Sequence, residues 1–291
     1  MGFYSLHYQN YPPTGYLNCS ERDTFIPAPT KDRQIHISNS SQMEANRFLE
    51  QGLQLYQDRQ FSQAKVNFQK ARIIYAKLGD KRGVAQTTFC MSLALYSLKK
   101  YNEAIQLANK SLKLIQEVKD KSLEARIIDN LGNCYRHLNE YHQAIKYHEQ
   151  SLLICRQNQD QAGQMAALNN LSLAHKAIGE YQQTFDYQQQ SLTIARDCGD
   201  LKTVSQVLKN LGNTCYVLED YALAIKYYEQ LLVSIQKLGV YRLEDRVWQN
   251  LIDACRSLGK HQKATKYTQQ HLATKSSYSI TEPPKQKMQY I

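Results

Sequence analysis

Residues 124–163 read EARIIDNLGNCYRHLNEYHQAIKYHEQSLLICRQNQDQAG, and this stretch decides the fold. Its first half places Ile128, Leu131, Tyr135 and Leu138 on one apolar stripe of an amphipathic helix. A short polar turn follows, and the second half again carries apolar side chains at helical spacing. The stretch therefore predicts a hairpin of two helices.

The same pattern returns every 40 residues between positions 43 and 275. Each copy has a small residue in its second helix and an aromatic or imidazole ring three positions before it. Four of the copies end at an aspartate. Several columns that stay in register across six copies indicate a repeat architecture. We therefore predict an irregular extension at 1–42, a solenoid at 43–275 and a disordered tail at 276–291. The columns are Ala64, Ala104, Ala144, Thr184, Ala224 and Ala264; Phe61, Tyr101, Tyr141, Tyr181, Tyr221 and His261; and Asp80, Asp120, Asp160 and Asp200. The units run at about 45–84, 85–124, 125–164, 165–204, 205–244 and 245–275.

Small residues also recur on the first helix of each unit. They should let the two helices of a hairpin approach closely, while stacking of neighbouring units buries the apolar faces that no single unit can bury. From Thr30 to Glu282 the chain contains no proline, which favours helix throughout. The fold class predicted is an all-α solenoid. The small residues are Gly52, Ser92, Gly132, Ser172 and Gly212.

These residues resemble the tetratricopeptide repeat. The pattern W-x2-L-G-x2-Y…A-x3-F is nearly met by Ile128-x2-Leu131-Gly132-x2-Tyr135, and Trp248-x2-Leu251 restores the tryptophan. The unit is 40 residues instead of 34 and lacks the usual proline. Segments such as Asn130-Leu131-Gly132-Asn133 resemble the 40-residue repeats of Pins-type polarity scaffolds, and similar units occur in kinesin light chains and in bacterial, especially cyanobacterial, repeat proteins. The resemblance implies a right-handed superhelix whose concave groove binds a peptide segment of another protein.

Composition limits the class of protein. The chain has 36 Lys and Arg against 26 Asp and Glu, a net charge of +10. Its seven cysteines are odd in number and form no CxxC pair, so buried free thiols are expected. The first residues show no basic start before an apolar run, and no apolar run is long enough to span a membrane. We expect a soluble, cytoplasmic protein.

The N-terminal extension supports two interpretations. Tyr4, Tyr8, Tyr11 and Tyr16 stand among proline, asparagine and serine, a composition typical of a flexible segment. The same tyrosines could instead dock on the solenoid, because aromatic rings bury a large area.

No catalytic motif is present in the sequence. It contains no glycine-rich phosphate loop and no HExxH pair. His142 and His148 lie six residues apart, a spacing that puts them on different faces of a helix, so a metal pair is not expected. We predict neither a cofactor nor a metal, and no enzymatic activity.

A polar stripe on the first helices is the candidate binding site. In the third unit it is offset from the buried stripe, and an asparagine column continues it through later units. Asparagine is a poor helix former, so its repeated use suggests that its amides bind a peptide backbone. The alternative is that these asparagines pack between neighbouring helices.

Nearby basic residues suit an acidic ligand, and the first two units place apolar residues at matching positions. The predicted peptide-binding residues are Arg126, Asn130, Asn133, Arg136, Asn170, Lys176, Lys209, Asn210, Asn213, Arg246, Asn250 and Arg256. The predicted apolar groove comprises Leu49, Leu53, Tyr56, Phe89, Leu93 and Tyr96.

The sequence thus predicts a scaffold or adaptor that binds an extended, acidic peptide segment of a partner protein. Two other classes are open. The net charge and the many tyrosines would suit nucleic-acid binding, although the charge is spread and no recognition motif accompanies it. A regulatory module that senses a small peptide is the third.

Overall fold

The computed structural model describes residues 32–239 and 244–281, with side chains between residues 39 and 275 of these ranges. The described ranges contain twelve α-helices and no strand, so the chain has the predicted all-α repeat fold. Odd-numbered helices are the first, and even-numbered helices the second, of each hairpin. The helices are α1 Asp32–Gln57, α2 Phe61–Lys77, α3 Lys81–Ser97, α4 Tyr101–Val118, α5 Lys121–His137, α6 Tyr141–Gln157, α7 Gln161–Ala177, α8 Tyr181–Asp197, α9 Leu201–Val217, α10 Tyr221–Leu238, α11 Glu244–Ser257 and α12 His261–Thr281.

The chain divides into two compact units within α7. Unit 1 ends at Ala174 and unit 2 begins at His175. Each unit has a core of apolar side chains from first and second helices. Fully buried examples are Phe68, Ile115, Ile127 and Leu131 in unit 1, and Leu208, Leu211, Leu231 and Leu251 in unit 2.

The recurring aspartates begin helices, as their position before each first helix predicts. The carboxylate of Asp80 accepts a hydrogen bond of 2.9 Å from the backbone N–H of Gly83. Asp120, Asp160 and Asp200 accept from the matching backbone N–H groups at 2.9 to 3.1 Å. Each bond satisfies one of the N–H groups that a helix start leaves without a partner. The aspartate column therefore sets the register of the hairpins.

The small residues of the first helices allow close approach. A Cβ added at Gly52 would lie 2.5 Å from the Phe68 ring, and one added at Gly132 would lie 2.6 Å from the His148 ring. Gly212 faces Tyr228 in the same way. In the second repeat the partner position holds Ala108, and Ser92 donates a hydrogen bond of 2.9 Å to the carbonyl of Ala104. In the three glycine-containing repeats a ring on the second helix thus stands opposite the glycine, and in the second repeat Ala108 occupies the position of the ring.

Both end helices extend beyond the predicted solenoid. Helix α1 begins at Asp32, inside the predicted irregular extension, and α12 continues to Thr281, inside the predicted tail. Pro29 precedes the first of these helices and Pro283 follows the second. Since no proline stands between them, nothing in the sequence forces either helix to stop earlier. The tyrosines from Tyr4 to Tyr16 lie outside the described residues.

Among the described cysteines, five are buried free thiols, as predicted, and Cys198 is exposed. Burial raises the pKa of the Cys134 thiol to about 12 and that of Cys155 to about 11. These thiols therefore pack as small apolar groups. None of the described helices has the length and apolar character to cross a membrane.

Candidate peptide-binding face

The first helices of each unit lie side by side, and we call the surface they form the first-helix face. In unit 1 the Tyr56 hydroxyl lies 2.8 Å from the Ser97 hydroxyl, which links α1 to α3. In unit 2 the Tyr216 hydroxyl lies 3.2 Å from that of Ser257, which links α9 to α11. The predicted polar stripe belongs to this face. Its members differ in burial and in hydrogen bonding.

Asn130 and Asn133 are buried, at 5% and 9% exposure. The amide of Asn130 donates to the hydroxyl of Ser92 at 2.9 Å and so ties α5 to α3. Asn133 donates to the carboxylate of Asp129 at 3.2 Å. Asn130 therefore has the packing role between helices that the sequence left open as the alternative, whereas the contact of Asn133 lies within α5.

Asp129 is the centre of a buried polar cluster in unit 1. Its side chain is 3% exposed and accepts a hydrogen bond of 2.8 Å from Nδ1 of His148, which is fully buried. The amide of the half-buried Asn170 donates to both carboxylate oxygens of Asp129, at 2.9 and 3.0 Å. With Asn133, three donors on α5, α6 and α7 therefore converge on one carboxylate. A buried negative charge is stable only when it is hydrogen-bonded in this way.

Sequence reasoning missed both Asp129 and His148. From the sequence we considered His148 only as a metal ligand, whereas Gly132 leaves room for its ring inside the α5–α6 hairpin. The signal was present in the columns, because the position of His148 holds Phe68 in the first repeat and Tyr228 in the fifth. Glycine recurs opposite each of these three rings.

Arg136 is positioned by its neighbours on the first-helix face. Its Nη2 lies 3.5 Å from the amide oxygen of Asn133 and 3.3 Å from Nε2 of His137. The His137 ring stacks on Tyr101 with 5.0 Å between centroids and meets Tyr96 at 5.3 Å. Burial, followed by the charges of Arg136 and Lys99, lowers the pKa of His137 to about 4. At neutral pH the imidazole is therefore uncharged, and its Nε2 can accept from the guanidinium.

The predicted apolar groove needs a correction. Leu49, Tyr56, Phe89 and Leu93 are all buried, at 9% exposure or less, while Leu53 and Tyr96 are half-buried. Stacking of α1, α3 and the intervening α2 covers these positions, so most of them belong to the core instead of an open surface. The guanidinium of Arg126 lies 5.7 Å from the centre of the Phe89 ring and helps to cover it.

The predicted residues of unit 2 are more accessible. Lys209, Arg246 and Arg256 are exposed, and the remaining predicted residues are half-buried. Asn213 accepts a hydrogen bond of 2.8 Å from the Tyr228 hydroxyl, so its amide oxygen is used inside the α9–α10 hairpin. Arg256 lies 3.6 Å from the carboxylate of Asp253. The half-buried residues are Lys176, Asn210, Asn213 and Asn250.

Two cations on the face of unit 2 interact electrostatically. Desolvation by neighbouring groups lowers the pKa of Lys209, and the positive charge of Arg246 on the next first helix lowers it further. Lys209 donates to the Gln206 amide oxygen at 3.1 Å, and the Gln206 amide donates to Asn210 at 3.2 Å. A polar network thus leads from the paired cations to one of the predicted asparagines.

Comparison with solved structures places this fold among known solenoids. BtubC (BKLC) from P. vanneervenii is 18% identical, with a TM-score of 0.59 over 91% of this chain and 98% of that one. A Rap protein complexed with Competence and Sporulation Factor is 13% identical, with a TM-score of 0.58 over 82% and 77%. A putative kinesin light chain of nearly identical TPR-like repeats from Podosopora anserina is 15% identical, with a TM-score of 0.57 over 67% and 96%. At these identities the likeness establishes the fold alone.

The sequence comparisons agree with the structural ones. No curated protein sequence matches this chain significantly. The family model of the tetratricopeptide repeat matches residues 123–197, which comprise α5 to α8. The match coincides with the stretch whose spacing resembles that repeat, and the described helices continue the same hairpin on both sides of it. Residues 123–197 therefore match the tetratricopeptide repeat in sequence, and the described helices on both sides of them have the same hairpin fold.

Proposed function

We propose that this chain is a protein–protein interaction module that captures an extended, acidic peptide segment on its first-helix face. The pair of Lys209 and Arg246 carries the proposal. Arg246 is close enough to lower the pKa of Lys209, and neither side chain forms a salt bridge within the described ranges. Like charges that lie together disfavour each other, and an anion between them removes the penalty. An acidic side chain of a ligand would supply that anion.

The asparagines beside the cations suit the backbone of such a ligand. Asn210 and Asn250 stand one repeat apart on α9 and α11, and each amide offers a donor and an acceptor. An extended peptide exposes unpaired backbone groups that need both. Amides at fixed spacing could therefore hold a segment of varied sequence, while the cations select for acidic side chains. Lys176, Asn213 and Arg256 are the other predicted contacts of this unit.

Unit 1 would use its face differently. The Asn170 amide nitrogen is already committed to Asp129, so the amide oxygen is the group left to accept an N–H of the ligand. Arg136, held by His137, and Arg126 would contribute positive charge. In this proposal Asn130 and Asn133 support the face from beneath. The six residues of the predicted apolar groove do the same.

The comparisons support this class of function. A solenoid of the same fold, the Rap protein, has been solved in complex with Competence and Sporulation Factor. The fold can therefore hold another molecule, and here the exposed cations suggest what chemistry that molecule carries.

The test uses a short labelled peptide of alternating glutamate and alanine, with fluorescence anisotropy as the readout. We expect Lys209→Gln with Arg246→Gln to weaken binding at least about tenfold, equivalent to about 1.4 kcal/mol. The loss should be greatest at low salt, where charges act over the longest distance. A peptide of alternating glutamine and alanine should bind wild type about as weakly as the glutamate peptide binds the double variant.

Lys266→Gln is the matched control, because it removes an exposed charge from α12, the second helix of the last hairpin. It should leave the affinity unchanged. Equal affinity of the glutamate peptide for wild type and the double variant would contradict the proposal. So would a preference for a single-stranded oligonucleotide over both peptides.

A further inference from the structure

A groove on the opposite side of the hairpins, between the second helices α8 and α10 of unit 2, has no role in the proposed function. Its cavity volume is about 310 Å³. Leu192 and Tyr227, which are 5% and 8% exposed, form its floor together with the half-buried Leu223. Its rim is polar and exposed. The rim residues are Gln189, Thr193, Arg196, Lys226 and Gln230.

The charge of the groove has one sign. Arg196 and Lys226 face it from opposite helices, and no aspartate or glutamate lines it. Lys226 forms no salt bridge with any residue in the described parts of the chain. The column that contains Lys226 is mixed: the second and fourth repeats hold Gln106 and Asp186, whereas the third and sixth hold Lys146 and Lys266. The groove therefore presents uncompensated positive charge above an apolar floor.

Hydrogen bonds across the groove hold its polar groups in place. Nη2 of Arg196 donates to the amide oxygen of Gln230 at 2.7 Å, which leaves the other guanidinium N–H groups for a ligand. The amide of Gln189 donates to the Tyr227 hydroxyl at 3.0 Å. An oriented guanidinium can bind a carboxylate or a phosphate through two parallel hydrogen bonds.

We propose that this groove is a second docking site, which receives a partner side chain that carries an anion on an apolar stem. The stem packs on Leu192, Leu223 and Tyr227, and the anion lies between Arg196 and Lys226. Small-molecule sites usually enclose most of their ligand. The rim here is exposed, so a side chain that projects from a partner protein fits the open shape better. Phosphotyrosine has this chemistry, because its ring is an apolar stem that can cover the floor and its phosphate can bind both cations.

The experiment titrates the full chain with small probes and follows backbone amide shifts by NMR. Phenyl phosphate represents the phosphorylated side chain, and N-acetylglutamate amide represents the carboxylate. Phenol carries the ring without the charge. We expect phenyl phosphate to shift amides of α8 and α10 and to bind more tightly than N-acetylglutamate amide. Binding of the glutamate probe as tight as that of phenyl phosphate would overturn the proposal. Binding of phenol as tight as that of phenyl phosphate would overturn the proposal.

The variant Arg196→Gln with Lys226→Gln should raise the dissociation constant of phenyl phosphate about tenfold. Lys237→Gln is the matched control, since it removes an exposed charge three turns further along α10, outside the groove. Unchanged affinity in the double variant, with an unchanged melting temperature, would overturn the proposal. The pair Lys209→Gln and Arg246→Gln should leave probe binding intact, so failure of this site and failure of the first-helix face are distinguishable.

Discussion

Asp129 and His148 meet across the α5–α6 hairpin, where Nδ1 of the buried imidazole donates to the buried carboxylate at 2.8 Å. Asn133 and Asn170 donate to the same carboxylate. Replacement of Asp129 by alanine therefore leaves three donors without their acceptor. We expect the free energy of unfolding to fall by about 3–5 kcal/mol, as measured by urea denaturation.

Asp253→Ala is the control for that variant. Asp253 is 43% exposed in its side chain and pairs with Arg256 at 3.6 Å, so its loss should change the free energy of unfolding by no more than about 0.5 kcal/mol. A similar loss of unfolding free energy in the two variants would show that the buried hydrogen bonds to Asp129 stabilise the fold no more than the exposed pair of Asp253 and Arg256.

The pairing of glycine with a ring predicts coupled mutations in the first hairpin. Gly52→Ala should cost about 1–3 kcal/mol, because the added Cβ would lie 2.5 Å from the Phe68 ring. Phe68→Ala should cost about 3–5 kcal/mol through the cavity that it leaves. In the double variant the clash disappears, so the total loss should be clearly less than the sum. Strict additivity in the double-mutant cycle would argue against the close approach.

Asn170 and Asn210 occupy the same column of the repeat, but their side chains have different hydrogen-bond partners. Asn170→Ala removes two donor contacts from Asp129 and should lower the free energy of unfolding by about 1–3 kcal/mol. Among the described residues, the Asn210 side chain accepts a hydrogen bond only from Gln206 on its own helix, so Asn210→Ala should stay within about 0.5 kcal/mol of wild type.

Thermal melts and peptide anisotropy on the two asparagine variants separate stability from binding. Asn210→Ala should weaken binding of the glutamate–alanine peptide without loss of stability. If Asn210→Ala is instead the less stable variant of the two, the assignment of roles within the column is wrong.

His137 predicts a pH dependence. Its pKa is about 4 in the folded chain and 6.5 in its ordinary state, so the unfolded chain binds the proton more readily. Stability from the neutral imidazole is therefore full above about pH 6.5 and falls until about pH 4, below which both states are protonated. Allowing for the part of the ring that solvent reaches, the loss should be about 2 kcal/mol.

The measurement is urea denaturation of wild type and His137→Phe across this pH range. Phenylalanine can keep the stacking on Tyr101 but cannot take up a proton. Between about pH 6.5 and pH 4 the wild type should therefore lose stability relative to the His137→Phe variant. Parallel curves would assign the acid sensitivity of the chain to other groups.

Much of the fold follows from local chemistry. The 40-residue period, the capping aspartates and the small residues on the first helices each act between neighbours in the chain or within one hairpin, and the structure confirms them. The prediction for the ends was less accurate, because the polar composition of residues 32–42 and 276–281 suggests disorder although it contains nothing that breaks a helix.

The candidate site was only partly predictable. The helical spacing correctly placed Lys209, Arg246 and Asn210 on the first helices, where they are accessible or half-buried. It could not distinguish Asn130 from Asn210, because both share one column and the same helix face. Burial depends on the neighbouring helix, which supplies Ser92 to one of them.

The sequence by itself determined that the chain forms helical hairpins in register and which face of each first helix is polar, because period and capping depend on positions close in the chain. Only the tertiary structure decided which polar side chains remain available. Asp129 accepts hydrogen bonds from His148 and Asn170, which lie 19 and 41 positions further along the chain, and the charge of Arg246 acts on Lys209 from another helix. Hydrogen bonds and charges act through space, so their partners appear only once the hairpins are stacked.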